Sequence, residues 1–197
     1  DWQCGGVDDC GDPCSLDCGD NATCDEALDA CVGNQTESLT LEVEFVLGCD
    51  PVQDGVCPDG VSSATSEAGT GSFRMDFTEV TVLQFKACAA VSTDAGGCGP
   101  PFVTEASNLA TAPDDHPALG VNWDEAERYC RWVGRRLCHE HEWERMARHP
   151  DRRVYPWAGG AEPTCDLAVL SDEQSDAPEC AGTTAAAVGS KEDGASE

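Results

Sequence analysis

Positive charge is scarce in this sequence: 11 Lys plus Arg stand against 38 Asp plus Glu, a formal net charge of -27. A field of that sign repels phosphate backbones and anionic lipid headgroups, which argues against nucleic acid and membrane surfaces as partners. Long apolar runs are missing as well. Nothing approaches the roughly 18 consecutive apolar residues that cross a bilayer, so no membrane insertion is expected. The N-terminus has neither the basic segment nor the apolar core of a leader peptide, so the chain is expected to begin as a mature protein. A tight Cys-x-x-Cys pair is absent too. The closest spacings are the three-residue gaps of Cys10, Cys14 and Cys18, which disfavours structural zinc.

Cysteine itself is abundant: 14 in 197 residues, an even number spread along the whole chain. That usage fits up to seven disulfides in an oxidising compartment, and a secreted or cell-surface location is expected. Asn21-Ala22-Thr23 and Asn34-Gln35-Thr36 have the form of glycosylation sequons.

Charge divides the chain. Residues 1–60 hold 15 acidic side chains and no Lys or Arg, whereas 121–153 hold eight of the nine Arg and net +1. The expected organisation is a cysteine-rich acidic module at 1–36, a strand and linker region at 37–71, and a packed portion at 72–197. The module has too few apolar residues for a core and depends on crosslinks among Cys4, Cys10, Cys14, Cys18, Cys24 and Cys31. Asp8, Asp9, Asp12, Asp17, Asp20 and Asp25 do not match a calcium-loop pattern and read as a solvated acidic face.

Local signals place the elements. Leu39, Leu41, Val43 and Phe45 alternate with polar residues across 38–47, the period of a half-buried strand; Phe73, Met75 and Phe77 mark a second strand with one apolar face. Between them, 61–71 is rich in Ser, Gly and Ala and reads as a loop. Thr81 with Gln84 forms a capping box for a helix whose inner side is Val82, Phe85, Cys88 and Ala89. Cys98 follows Gly96-Gly97 and is placed to close a loop onto Cys88. Residues 99–117 form a long irregular connection of the kind that is functional or pinned. Asn122 and Glu125 cap a helix carrying Trp123, Ala126, Tyr129, Cys130 and Val133, and Gly134 stops it. A third helix spans about 140–148, with Trp143, Met146 and Ala147 inward. His139 and His141 are too poorly spaced for a helical zinc pair, and His116 with Asp114 and Asp115 lacks a nucleophile in a triad context.

Four segments carry a further signal: Glu79-Val80-Thr81-Val82-Leu83-Gln84-Phe85; His116-Pro117-Ala118-Leu119-Gly120-Val121-Asn122-Trp123-Asp124-Glu125-Ala126-Glu127-Arg128-Tyr129-Cys130-Arg131-Trp132; Arg136-Leu137-Cys138-His139-Glu140-His141-Glu142-Trp143-Glu144; and Tyr155-Pro156-Trp157. Together, and in this order, they resemble the formylglycine-generating enzyme, or sulfatase-modifying factor, family. The resemblance implies an irregular α+β fold related to C-type lectins, with many loops and bound calcium, of which 72–197 would be the N-terminal part.

It also implies a calcium site after the Tyr-Pro-Trp signature, with Asp166 and the Leu167 carbonyl as ligands and Glu179 in place of a second acidic ligand. The family's copper-binding cysteine pair belongs to a later signature that this chain does not contain, so no cysteine here matches it and the chain is expected to be part of a domain. Cys138 stands where the family has proline, and a Cys130–Cys138 bridge would replace that rigidity. Bridges are likewise expected for Cys88–Cys98 and Cys165–Cys180, each closing a short loop. Trp123, Tyr129, Trp143 and Trp157 are expected in or near the core. The functional expectation is a noncatalytic secreted or cell-surface binding or assembly protein. Its partner would be another protein, a C-terminal fragment of the same precursor, or a second copy. The alternative is an oxygen-dependent oxidase acting on a protein cysteine, completed by a further segment.

Overall fold

The computed structural model describes residues 22–25, 30–33, 35–38, 45–49, 65–67, 73–101, 107–149, 153–169 and 185–195. Among them are strands β1 (Ala22–Asp25), β2 (Ala30–Gly33), β3 (Gln35–Ser38), β4 (Phe45–Leu47), β5 (Thr65–Glu67) and β6 (Phe73–Asp76), and helices α1 (Val82–Ala90), α2 (Trp123–Trp132) and α3 (Glu140–Arg148). The mixture is α+β, and among the described residues the strands pair two by two: β1 with β2, β3 with β6 and β4 with β5. In the first antiparallel pair Cys24 stands opposite Cys31, and in the third Val46 stands opposite Ser66.

The chain forms two compact units, each drawn from separated segments. The first comprises Asp1–Gln35, Asp76–Leu137 and Ala185–Ser190; the second comprises Thr36–Met75, Cys138–Thr184 and Lys191–Glu197.

In the first unit α1 begins where expected. The Thr81 hydroxyl accepts from the Gln84 amide at 3.2 Å while the Gln84 side chain accepts from the Thr81 amide at 2.9 Å, so two otherwise unsatisfied donors are paired locally. The inward side holds Val82, Phe85 and Cys88, joined in one core by Cys98, Leu109, Tyr129 and Val133. Phe85 and Tyr129 stack with ring centroids 6.1 Å apart. The Cys88–Cys98 disulfide is formed and buried. Gly97 permits the return to it: a Cβ there would stand 2.3 Å from the Val91 carbonyl oxygen.

The connection before α2 is pinned, as its length implies. The amides of Val82 and Leu83 donate to the carbonyls of His116 and Asp114 at 2.8 and 3.0 Å, which satisfies the first turn of α1. Asn108 donates to the Pro117 carbonyl at 2.9 Å and accepts from the Leu119 amide at 2.8 Å. The reciprocal cap of Asn122 and Glu125 then starts α2, and Gly134, at φ 71°, turns the chain out of it.

In the second unit α3 packs on β4. Both backbone groups of Gly48 are held from α3: its amide donates to Glu144 Oε1 at 2.9 Å, and its carbonyl accepts from Arg148 Nη1 at 2.7 Å. Trp157 is buried and its indole donates to the Ala161 carbonyl at 2.8 Å.

Three expectations are corrected and a fourth is met in part. Trp123 and Trp143 are 65% and 61% exposed, because the inward positions of the opening turns are taken by Glu125 and Glu142, which are 2% and 3% exposed. Trp123 precedes Glu125 by two residues, about 200° around the helix, so burying the carboxylate turns the indole outward. Phe77 does not share the Phe73 face; β6 ends at Asp76 and Phe77 is exposed. The Ser/Gly/Ala-rich segment contains strand β5, whose pairing with β4 overrides weak local propensity. The strand expected across 38–47 is met by β4 at its C-terminal end; residues 39–44 lie outside the described residues.

Candidate functional site

Within the first unit, Asp76 at the end of β6 and Arg135 just after α2 form a close, partly buried ion pair. Burial raises the Asp76 carboxyl above its ordinary range, and the Arg135 charge opposes that shift. The neighbouring Tyr129 phenol is pushed upward, first by burial and then by the Asp76 carboxylate. At neutral pH it therefore stays protonated and can donate a hydrogen bond, but it cannot act as a base. The Arg135 amide also bonds the Cys130 carbonyl at 2.6 Å, which ties the end of α2 to this cluster.

In the second unit the turn after Trp157 carries Asp166 and Leu167. The amides of Leu167 and Ala168 both donate to the Thr164 carbonyl at 3.0 Å. Asp166 is exposed and Leu167 half-buried, while Glu179 lies outside the described residues. The Lys191 ammonium donates to the carbonyl of Cys165, immediately before Asp166. Gly194 lies against the Leu167 carbonyl so closely that a Cβ there would stand 1.7 Å from the oxygen. Calcium needs six to eight oxygens at about 2.3–2.6 Å. Here a fixed cation is paired to the adjoining carbonyl, and main chain lies against the Leu167 oxygen. Among the described residues, no group of three or more His, Cys, Asp or Glu is placed to hold a metal.

The remaining candidates fall apart spatially or chemically. Cys130 packs against the core of the first unit, and Cys138, in the second, is exposed. Cys49 and Cys165 are disulfide-bonded; Cys180 lies outside the described residues, as do the acidic cluster from Asp8 to Asp20, Asn21, Asn34 and Cys4 to Cys18. His139 and His141 do not diverge as two helical residues would. Their rings stack at 5.4 Å because His139 is the extended N-cap of α3. His116 Nδ1 lies 2.8 Å from Asp115 Oδ1.

Sequence reading missed Lys191, the Asp76–Arg135 pair and the grip on Gly48. One signal was available for the first: lysine occurs only at 86 and 191, and both are engaged, Lys86 with Asp114 at 2.9 Å and Lys191 with the Cys165 carbonyl.

Residues 40–192 match the sulfatase-modifying factor enzyme 1-like domain. The chain belongs to this family. It is similar to a formylglycine-generating enzyme of Bos taurus, 44% identical over 50 residues, which cover 25% of this chain and 13% of the relative. It is 37% identical over 164 residues to a hercynine oxygenase of Mycolicibacterium thermoresistibile, covering 70% of this chain and 36% of that protein. An inactive C-alpha-formylglycine-generating enzyme 2 of Bos taurus is 42% identical over 50 residues, covering 25% and 17%. The chain thus spans between 13% and 36% of the length of these relatives. No helix among the described residues is long and apolar enough to cross a membrane.

Proposed function

We propose that this chain is a noncatalytic secreted or cell-surface protein that uses the sulfatase-modifying-factor scaffold, on a C-type-lectin-like fold, for binding or assembly. The observation that carries this reading is the bridging of Cys49, Cys88, Cys98 and Cys165. Cys88 and Cys98 are locked in a buried structural bridge, and Cys49 and Cys165 are also disulfide-bonded. Such cysteines stabilise a fold in an oxidising compartment, which fits a secreted or cell-surface scaffold. The similarity to a relative named as inactive supports the same reading. The net charge of -27 favours a basic protein surface as partner, the C-terminal part of the same precursor or a second copy being the other possibilities.

The second reading, an oxygen-dependent oxidase acting on a protein cysteine and completed by a further segment, is favoured by the long match to a protein named as an oxygenase. One experiment separates the two. The complete gene product, supplied with copper and incubated aerobically with a cysteine-containing peptide, is expected to yield no more hydrazide-reactive aldehyde on the peptide than copper and oxygen alone. Formation of a hydrazide-reactive aldehyde on the peptide would overturn the noncatalytic reading.

A further inference from the structure

We infer that the Lys191 ammonium is a built-in cation that holds the 164–168 turn, in the place where the family resemblance puts a calcium ion. The turn is closed by the Leu167 and Ala168 amides, both on the Thr164 carbonyl, with the Cys165 and Leu167 carbonyls close by in sequence. The Cys165 carbonyl is used by Lys191 Nζ, a contact made across 26 residues. The 3-10 turn Glu192–Gly194 that follows is closed by the Gly194 amide on the Lys191 carbonyl at 3.0 Å. That closure presents the Gly194 α-carbon to the Leu167 oxygen, so close that no other residue fits without displacement.

A divalent ion bound here would have to approach one carbonyl already paired to an ammonium and another backed by main chain, and it would sit beside a fixed positive charge. A lysine meets the same need differently. It brings one charge and three donors on a tether that is part of the chain, and its contact with a carbonyl is a charge-assisted hydrogen bond. The turn then holds its form without dependence on calcium concentration. The Cys165 disulfide anchors the same segment covalently. This inference is independent of whether the chain is catalytic.

Hydrogen exchange at the Leu167 and Ala168 amides reports on the turn directly. In the wild-type chain their protection is expected to be the same in calcium chloride as in chelator. In Lys191→Met, which keeps the apolar stem and removes the donor, both amides are expected to exchange about tenfold faster or more, the scale of a lost hydrogen bond to a charged group. Calcium-induced slowing at these amides in the wild type, abolished by Asp166→Ala, would overturn the inference. So would unchanged protection in Lys191→Met. Should that variant fail to fold, the calcium comparison needs no variant and decides the matter.

Discussion

A tryptophan contributes according to what surrounds it, and Trp157 is surrounded. It is 6% exposed, it stacks on Tyr155 with ring centroids 5.1 Å apart, and its indole nitrogen is satisfied by a backbone carbonyl. Truncation leaves a cavity, so Trp157→Ala is expected to cost about 3–5 kcal/mol. Trp123 is mostly in solvent, and Trp123→Ser is expected to change stability by less than about 0.5 kcal/mol. Urea unfolding of the two variants checks both; similar losses would mean that Trp123 is covered in solution. The Cys88–Cys98 bridge acts instead on the unfolded chain. Its sulfurs close a loop of sequence separation 10 inside the first unit's core, and Cys88→Ala with Cys98→Ala is expected to lose about 2–4 kcal/mol. Melting of the double variant, compared with wild type in the absence of reductant, measures that loss.

At the scale of the element, α1, α2 and α3 were legible because what starts a helix is local. A cap residue and its partner three positions on are read directly from sequence, and α3 spans the residues expected of it. The same carboxylates explain where the reading failed. Glu125 and Glu142 accept from the amides of Asn122 and His139 at 3.0 and 2.8 Å. Turning inward to do so, they took positions that an apolar pattern assigned to tryptophan. Removing Glu125 by substitution with Ala is expected to cost about 1 kcal/mol, and Asn122→Ala a similar amount. The double variant should lose less than the sum, because each side chain helps fix the other's geometry. Additive losses by equilibrium unfolding would count against reciprocity. The contacts that shape the candidate site left no trace of this kind. Asp76 and Arg135 lie 59 residues apart, and Gly48 is held from 96 and 100 residues away. Lys191 reaches back 26 to the turn that holds Asp166. No periodicity records such pairings; the resemblance pointed to Asp166 and Leu167 but not to the lysine that answers them.

At the scale of the whole molecule, a net charge of -27 with an isoelectric point near 4.1 sets acid behaviour apart from that of a balanced protein. Lowering the pH from 7 neutralises carboxylates and relieves self-repulsion. Asp76 adds a local contribution of the same sign. Its folded pKa is raised above the ordinary 3.8, with burial the largest cause, so the folded chain takes up this proton at a higher pH than the unfolded chain does. Stability from this group is therefore fully present below pH 3.8 and is lost as the pH rises through the folded value. The unfolding free energy of the wild type minus that of Asp76→Asn is expected to increase steadily as the pH is lowered from 7 to 4. Urea titrations of both proteins across that range give the difference directly, and a common offset from the disturbed Arg135 contact leaves its slope intact. If the difference instead shrinks toward acid, the attraction of Arg135 outweighs desolvation, the Asp76 carboxyl is lowered rather than raised, and the pair stabilises the first unit as an ordinary exposed ion pair would.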